Sequence, residues 1–317
     1  MTDLPAADDV LAAAARIAGH ATVTPVLHSR ALDAMAGCTL AFKAEHLQRG
    51  GAFKFRGACN AVWSLPAGVA GRGVVTHSSG NHGAALALAA RDRGIPCHVV
   101  VPEGAVAAKL ANIQRHGATL WRCEPTQAAR EAMCAQVQEG TGATLVHPYA
   151  DPQVIAGQGT ATLELVGQSG APEIMVVPVG GGGLAAGTAL ALSAVAPDCR
   201  LLLAEPAGAA DTAASLAAGE RRIEFVPDTV CDGLRGALGA PNFSLLHAAG
   251  AEVVVVDDAD TIAAMRLAWQ VLKQVIEPSS AVALAAVLAQ PERVAGRRVG
   301  MVLSGGNVDL GALPWHG

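Results

Sequence analysis

Four consecutive glycines, Gly180, Gly181, Gly182 and Gly183, follow the apolar run at 174–179 and precede an Ala-rich stretch that opens at Leu184. Adjacent glycines cost backbone entropy, so a strand end needs a reason to carry four of them. One use is a cradle in which bare N–H groups and the start of a helix face a phosphate. No Gly-Lys-Ser/Thr follows, so this is not a nucleoside-triphosphate loop, and the spacing is not G-x-G-x-x-G either. The plain alternative is a tight strand-to-helix turn, for which one or two glycines suffice. A second segment, GGAFKFRG at 50–57, sets Lys54 after two glycines and an aromatic, where a helix opens. A lysine in an apolar, partly desolvated setting loses its proton readily and becomes a nucleophile or an imine-forming amine. Taken alone, a lysine at a helix start is more often a solvated surface residue. A lysine of this kind together with a phosphate cradle is what pyridoxal phosphate requires.

Two further segments offer polar groups at strand ends. Ser78-Ser79-Gly80-Asn81-His82-Gly83 follows the strand ending at His77 and presents hydroxyls, an amide and several N–H groups. Such a nest suits a carboxylate, although an ordinary helix start capped by Ser79 or Asn81 has the same residues. Ser304-Gly305-Gly306-Asn307 follows the run at 298–303 and sets a hydroxyl where it can meet a ring nitrogen or another polar edge; its alternative is a glycine-rich turn.

These segments need elements to position them. Short β-branched runs at 39–44, 73–77, 97–101, 119–122, 144–147, 174–179, 200–204, 252–256 and 298–303 predict strands. Helices are expected between them at 54–64, 82–93, 107–116, 127–139, 154–166, 184–195, 260–274 and 280–288. The alternation predicts an α/β protein of parallel sheets with helices on both faces. Two turn-rich joints, LPAGVAGRG at 65–73 and HPYADP at 147–152, bracket about four βα units. The expected organisation is a small domain, 68–150, inserted in a large one made of 1–67 and 151–317. Ligands of open α/β sheets bind beyond the carboxyl ends of strands, so a cleft between the two sheets is where chemistry is expected.

Composition agrees with this class. The 317 residues are 51% hydrophobic and 15% charged, and 22 Lys plus Arg against 27 Asp plus Glu leave a net charge of −5. That length suits about two domains. The mild acidity gives no reason to expect nucleic acid as a partner. The seven cysteines are scattered with no C-x-x-C, so neither a zinc site nor a disulfide framework is suggested. Asp3, Asp8 and Asp9 do not fit a signal peptide, and apolar runs such as 281–289 are too short to span a bilayer. A cytoplasmic protein is expected. His77, His98, His116 and His147 share no ligand spacing and are read as structural, and Trp121 and the other tryptophans as packing residues.

The four segments stand in the order and spacing of the serine racemase and serine/threonine dehydratase family, the fold type II class of pyridoxal-phosphate enzymes. The chain resembles that family over 42–65, 74–102, 146–160 (VHPYADPQVIAGQGT), 176–187, 277–288 and 299–310, which is nearly its whole length. GAFKFRGA together with EPSSAVALA leans toward the 3-hydroxyaspartate dehydratase branch. The resemblance implies two open parallel-sheet domains and a pyridoxal 5'-phosphate cofactor. It implies a lyase that removes the β-hydroxyl of a small 3-hydroxy amino acid and releases a 2-oxo acid and ammonia. It also implies a homodimer.

By position, Lys54 resembles the Schiff-base lysine and Phe53 the residue against the cofactor ring. Asn81 resembles the partner of the ring hydroxyl, and Ser304 that of the ring nitrogen. Gly180 to Gly183 and the Leu184 N–H resemble the phosphate cup. Ser78, Ser79, Asn81 and His82 fall where the substrate α-carboxylate is held. Ser79 also matches the acid/base on the ring face opposite the lysine, and Arg130 an arginine that faces a second carboxylate. Glu205, the Ala209 carbonyl and Asp211 match a divalent-cation site whose oxygen ligands suit Mg²⁺, Mn²⁺ or Ca²⁺. A solvated acidic pair near a helix start is the other reading of those acids, and a surface helix arginine that of Arg130.

The chain departs from the racemase pattern at Ala52, at Tyr149, and at Gly236 and Ala237, where racemases carry serines. These changes count against serine racemisation, although Ser79 is kept. A racemase with side dehydratase activity, a non-catalytic cofactor-binding protein of the same fold and a nicotinamide oxidoreductase using the glycine loop are the alternatives.

Overall fold

The structure is a computed structural model that describes residues 4–315. Residues 1–3 and 316–317, the outer ends of the expected large domain, lie outside the described residues. The strands are β1 (Val26–Leu27), β2 (Thr39–Lys43), β3 (Val74–His77), β4 (Cys97–Pro102), β5 (Thr119–Cys123), β6 (Thr144–Leu145), β7 (Ile174–Pro178), β8 (Arg200–Pro206), β9 (Glu252–Val256) and β10 (Arg298–Val302). They form a six-stranded sheet in the order β1-β2-β10-β7-β8-β9 and a four-stranded sheet in the order β5-β4-β3-β6. Every pairing is parallel except β1 with β2. The strands of the smaller sheet all fall between β2 and β7 in the chain, so two parallel-sheet domains are built with one interrupting the other.

Near-continuous apolar runs such as IMVVP in β7, buried at every position, are the signature of strands covered on both faces. On one face of the larger sheet lie Arg30–Ala36 and Pro278–Ala289, and on the other Gly183–Val195. The smaller sheet packs Asn81–Arg93 on one face and Gln127–Thr141 on the other. Alanine and glycine let these helices pack closely. A Cβ on Gly157 would stand 2.7 Å from the Gly57 Cα, so Lys54–Ser64 and Pro152–Ser169 touch through two glycines.

Lys54–Ser64 is also fixed from below. The Arg56 guanidinium, fully buried, is bound by both oxygens of Glu45 (2.7 and 2.8 Å) and both of Glu164 (2.7 Å each). Lys43 adds a second cation 2.7 Å from Glu164.

Several elements differ from the sequence expectation. β1 is too short to show an alternating pattern, and Arg30–Ala36, seven residues long, gives little period to read. Ala7–Ile17, Asp211–Ala218 and Ala240–Ala248 were not anticipated; the first buries only Val10, Ala13 and Ile17. The strand expected at 144–147 stops at Leu145, because His147 turns the chain by accepting the Tyr149 and Ala150 N–H groups on its Nδ1. The single helix expected at 260–274 is instead Asp258–Leu267 followed by a π turn, Ala268–Leu272, which ends at Lys273 with φ 58°. There the Trp269 indole reaches past the helix end to the Ile276 carbonyl at 3.0 Å.

Candidate active site

Three neighbouring strands of the larger sheet, β2, β10 and β7, deliver three of the four segments from their carboxyl ends. The chain after β2 leads to Lys54, that after β10 to Ser304, and that after β7 to the glycines. The first two are joined by backbone: Phe53 N donates to Ser304 O at 2.9 Å, Ala52 bridges to Gly305, and Gly306 N donates to Gly51 O at 3.0 Å. The fourth segment arrives from the smaller sheet, at the end of β3. Between the sheets lies a cavity of about 490 Å³ lined by Phe53, Lys54, residues 78–82, Arg130, residues 180–184 and Ser304. Every residue expected at the cofactor and the substrate thus faces one space.

The Lys54 Nζ donates to the Pro148 carbonyl at 2.9 Å and lies 5.2 Å from the Phe53 ring centroid. Burial pulls its pKa down to about 8, against a smaller opposing pull from Glu277. The glycine bend is forced by what lies behind it. A Cβ on Gly180 would stand 2.7 Å from the Leu234 Cα, one on Gly181 would enter the Tyr149 ring, and Gly182 has φ 88°. The helix Gly183–Val195 begins at the bend, and its first-turn N–H groups have no partners within the helix. Ser304 is buried, and its hydroxyl reaches the Ser279 carbonyl only at 3.5 Å.

On the opposite wall, Asn81–Arg93 has Gly80 at its cap position with no side-chain capping bond, so neither Ser79 nor Asn81 serves as the cap. The His82 Nε2 stands 3.4 Å from the Val146 carbonyl and its Nδ1 has no partner. Burial, with Lys54 nearby, holds this imidazole well below its usual pKa and therefore neutral. Arg130 lies in Gln127–Thr141, and its buried Nε has no hydrogen-bond partner.

Sequence reasoning missed several lining groups. Glu277 is one, with burial raising its pKa to about 7. An acid directly before a helix that is apolar all round was the available signal. Asn307, which ends the Ser-Gly-Gly-Asn segment, is another. Lys109 and Asp232 form an ion pair across the cavity from helices of different sheets. His77, read as structural, also lines the cavity and meets the His147 ring edge-on at 5.0 Å.

Glu205 and Asp211 do not line it, and they are not solvated acids. Glu205 accepts the Thr212 and Ala213 N–H groups at 2.7 and 2.8 Å. Asp211 accepts Leu238 N on Oδ2 at 2.8 Å, while its buried Oδ1 has no partner. Burial raises the two pKa values to about 7 and about 6. Among the described residues no group of three or more His, Cys, Asp or Glu is placed to hold a metal. An orphaned carboxylate oxygen beside a second buried acid nonetheless suits a cation completed by backbone carbonyls.

Comparison with known proteins decides the family: residues 17–305 match the model of the pyridoxal-phosphate dependent enzymes. The chain belongs to that family. It is 46% identical over 313 residues to the beta-hydroxyaspartate dehydratase of Paracoccus denitrificans, covering 99% of both chains. It is 46% identical over 303 residues to the serine racemase of Arabidopsis thaliana, covering 94% of this chain and 92% of that one. The structure of maize serine racemase superposes with a TM-score of 0.94 at 42% identity, over 98% of this chain and 95% of that one. The residues in the cavity fit pyridoxal phosphate: a lysine amine of depressed pKa, a bare-backbone bend at a helix N-terminus, and buried polar groups for the ring edge.

Proposed function

We propose that the chain dehydrates a small 3-hydroxy amino acid, 3-hydroxyaspartate foremost and then serine or threonine, giving a 2-oxo acid and ammonia. It is a pyridoxal-phosphate dependent lyase. The observation that carries the choice of substrate is Arg130, whose buried Nε has no partner in the cavity that holds Lys54. A guanidinium so placed suits a second carboxylate.

Pyridoxal phosphate, when bound, supplies the electron sink that lets a proton leave the substrate α-carbon. Lys54 takes that proton at Nζ, since an amine with a pKa of about 8 is an effective base near neutrality. Phe53 would pack against the ring, Asn81 would meet the ring hydroxyl, and Gly180, Gly181, Gly182, Gly183 and the Leu184 N–H would hold the phosphate. Ser304 would set a neutral hydroxyl at the ring nitrogen. A carboxylate there would hold a proton on that nitrogen, and the neutral Ser304 hydroxyl would not, which suits elimination better than transamination. Ser78, Asn81 and His82 bind the substrate α-carboxylate at the N-terminus of their helix. Ser79 is the acid/base on the face opposite Lys54.

The same reading takes 68–150 as the small domain and 1–67 with 151–317 as the large one, as the sheet memberships support. Glu205, the Ala209 carbonyl and Asp211 hold a divalent cation, Mg²⁺, Mn²⁺ or Ca²⁺. A cytoplasmic homodimer is carried over from the resemblance; seven free cysteines agree with a reducing compartment. No helix among the described residues is long and apolar enough to cross a membrane.

Serine racemisation is the second reading, favoured by Ser79. Against it, Gly236 and Ala237 supply no hydroxyl where the racemase pattern has serines, and the Tyr149 ring stands in ordinary contact with this segment, 3.6 Å from a Cβ built on Gly236. A panel of erythro- and threo-3-hydroxyaspartate, serine and threonine, with 2-oxo acid and ammonia measured, tests the proposal. One isomer of 3-hydroxyaspartate should have the highest kcat/KM. Inversion of serine outpacing all 2-oxo acid release would refute it in favour of racemisation.

A further inference from the structure

Glu277 is a buried carboxyl at the cavity with no part in the steps above, and its partners are specific. Oε1 accepts the Asn81 Nδ2 at 2.9 Å, and Oε2 lies 3.3 Å from the same nitrogen. Oε2 also accepts the Asn307 backbone N–H at 3.2 Å. The Asn307 side chain completes the group: its Nδ2 donates to the Asn81 Oδ1 at 3.0 Å and to the Gly50 carbonyl at 2.8 Å. Gly305 leaves room for the carboxylate, since a Cβ there would stand 2.5 Å from Oε1.

Both ends of the Asn81 amide are therefore spoken for. Turned over, it would set its oxygen against the buried Glu277 carboxylate and its NH₂ against the NH₂ of the exposed Asn307, two mismatched contacts of which the first is the costly one. Held as it is, Asn81 keeps one Nδ2 hydrogen beyond the bond to Glu277, and so offers a donor. A donor is what an ionised ring hydroxyl needs.

We propose that Glu277 is a positioning residue that acts through Asn81, locking the amide so that its remaining N–H meets the ring hydroxyl of pyridoxal phosphate. This rests on the reading of Asn81 given above. Asp232 and Lys54 also face Glu277, with Lys109 farther along the wall. Burial first and Asp232 second raise its pKa to about 7 although the Asn81 and Asn307 bonds oppose them, so the proton-free form that accepts both bonds predominates only above that pH, and the clamp is read at about pH 8.

The test is a double-mutant cycle on the full chain, read as the dissociation constant for pyridoxal phosphate and the position of its visible absorption band. Glu277→Gln keeps the shape but leaves one acceptor for two donors. It should weaken cofactor binding about tenfold, the low end for a hydrogen bond to a charged group. In an Asn81→Ala background the same substitution should change it by less than about twofold, because the coupling is gone. Equal losses in both backgrounds, or no loss in either while Asn81→Ala alone weakens binding, would overturn the proposal. Asn81→Ala leaving affinity and band unchanged would instead remove the reading of Asn81 on which it rests. Should Glu277→Gln not fold, Asn307→Ala reads the other arm of the clamp. It too should weaken binding, and should lose that effect once Asn81 is alanine; an effect that persists there would count against the clamp.

Discussion

The depressed pKa of Lys54 has a consequence that is measurable before any substrate is added. A protonated amine cannot attack an aldehyde, so capture of the cofactor depends on the neutral fraction of Lys54. At pH 7 an amine with a pKa of about 8 is about one-tenth neutral, against about 3 parts in 10,000 for a lysine at 10.5, an advantage of about 300-fold. Rapid mixing of the cofactor-free chain with pyridoxal phosphate, followed by visible absorbance, reads this directly. Below the pKa the capture rate should climb about tenfold per pH unit, and it should level off near pH 8. Glu277 supplies a charge that raises the lysine pKa, so Glu277→Gln should move the levelling point to lower pH. Lys54→Ala should capture nothing. A rate that keeps climbing to about pH 10 would show that burial does not depress this amine. A shift to higher pH in Glu277→Gln would show that the carboxylate does not act on it.

The ion network beneath the lysine helix and the two acids after β8 give the other expectations. Arg56→Met should cost about 3–5 kcal/mol, read as a fall in the urea midpoint, because it strands the fully buried Glu45 carboxylate. A loss below about 1 kcal/mol would mean the network acts like an exposed ion pair. Burial pushes the Glu164 pKa up, but its bonds to Arg56 and Lys43 win and hold it below the usual value. Its share of stability is therefore present above the unfolded carboxylate pKa and fades as pH falls through the lower folded one. Chelator treatment should lower both turnover and thermal stability, and Mg²⁺ should restore them. A chain indifferent to chelator would leave Glu205 and Asp211 as structural acids alone.

Much of the site was legible because its parts are local. Lys54, the glycines, residues 78–82 and Ser304 each sit within a few residues of a strand's carboxyl end, and short glycine-rich segments advertise themselves. What stayed hidden depends on pairs far apart in sequence. Glu277 means little until Asn81, 196 residues away, is found against it. Lys109 reads as a surface lysine until Asp232 closes on it from the other sheet. Elements were hidden for a different reason. Alanine carries almost no contrast between buried and exposed faces, so Asp211–Ala218 shows little period, whereas Ala7–Ile17 sets Val10, Ala13 and Ile17 on one face and was legible in principle. The π turn after Leu267 answers to the Trp269 contact, which no local pattern encodes.

The division of the site between two sheets follows from what has to stay fixed. Lysine, ring-nitrogen partner and phosphate bend must keep one mutual geometry through every turnover, and a displacement of about 1 Å is enough to cost rate. They hang from β2, β10 and β7, hydrogen-bonded side by side, and the Lys54 and Ser304 segments are further tied through Phe53, Ala52 and Gly51. The groups assigned to substrate, residues 78–82 and Arg130, come from β3 and from the helix after β5, on the other sheet. The division is not complete, because the helix that carries Lys54 packs through Phe55, Ala58, Cys59 and Val62 into the core of the smaller sheet's domain. Polar contacts joining the walls at the cavity run from Asn81 to Glu277 and Asn307, from Lys109 to Asp232 and from Lys54 to the Pro148 carbonyl, while away from it Arg49 pairs with Asp92 and Arg93 reaches the Val62 and Leu65 carbonyls. Cofactor binding and wall position are then coupled through Asn81, because the residue assigned to the ring hydroxyl is also one by which the smaller sheet holds the larger. Weakening that clamp should loosen the closed arrangement of the cleft as well as the cofactor, and faster proteolytic cleavage of the Glu277→Gln chain between residues 68 and 150 would register it.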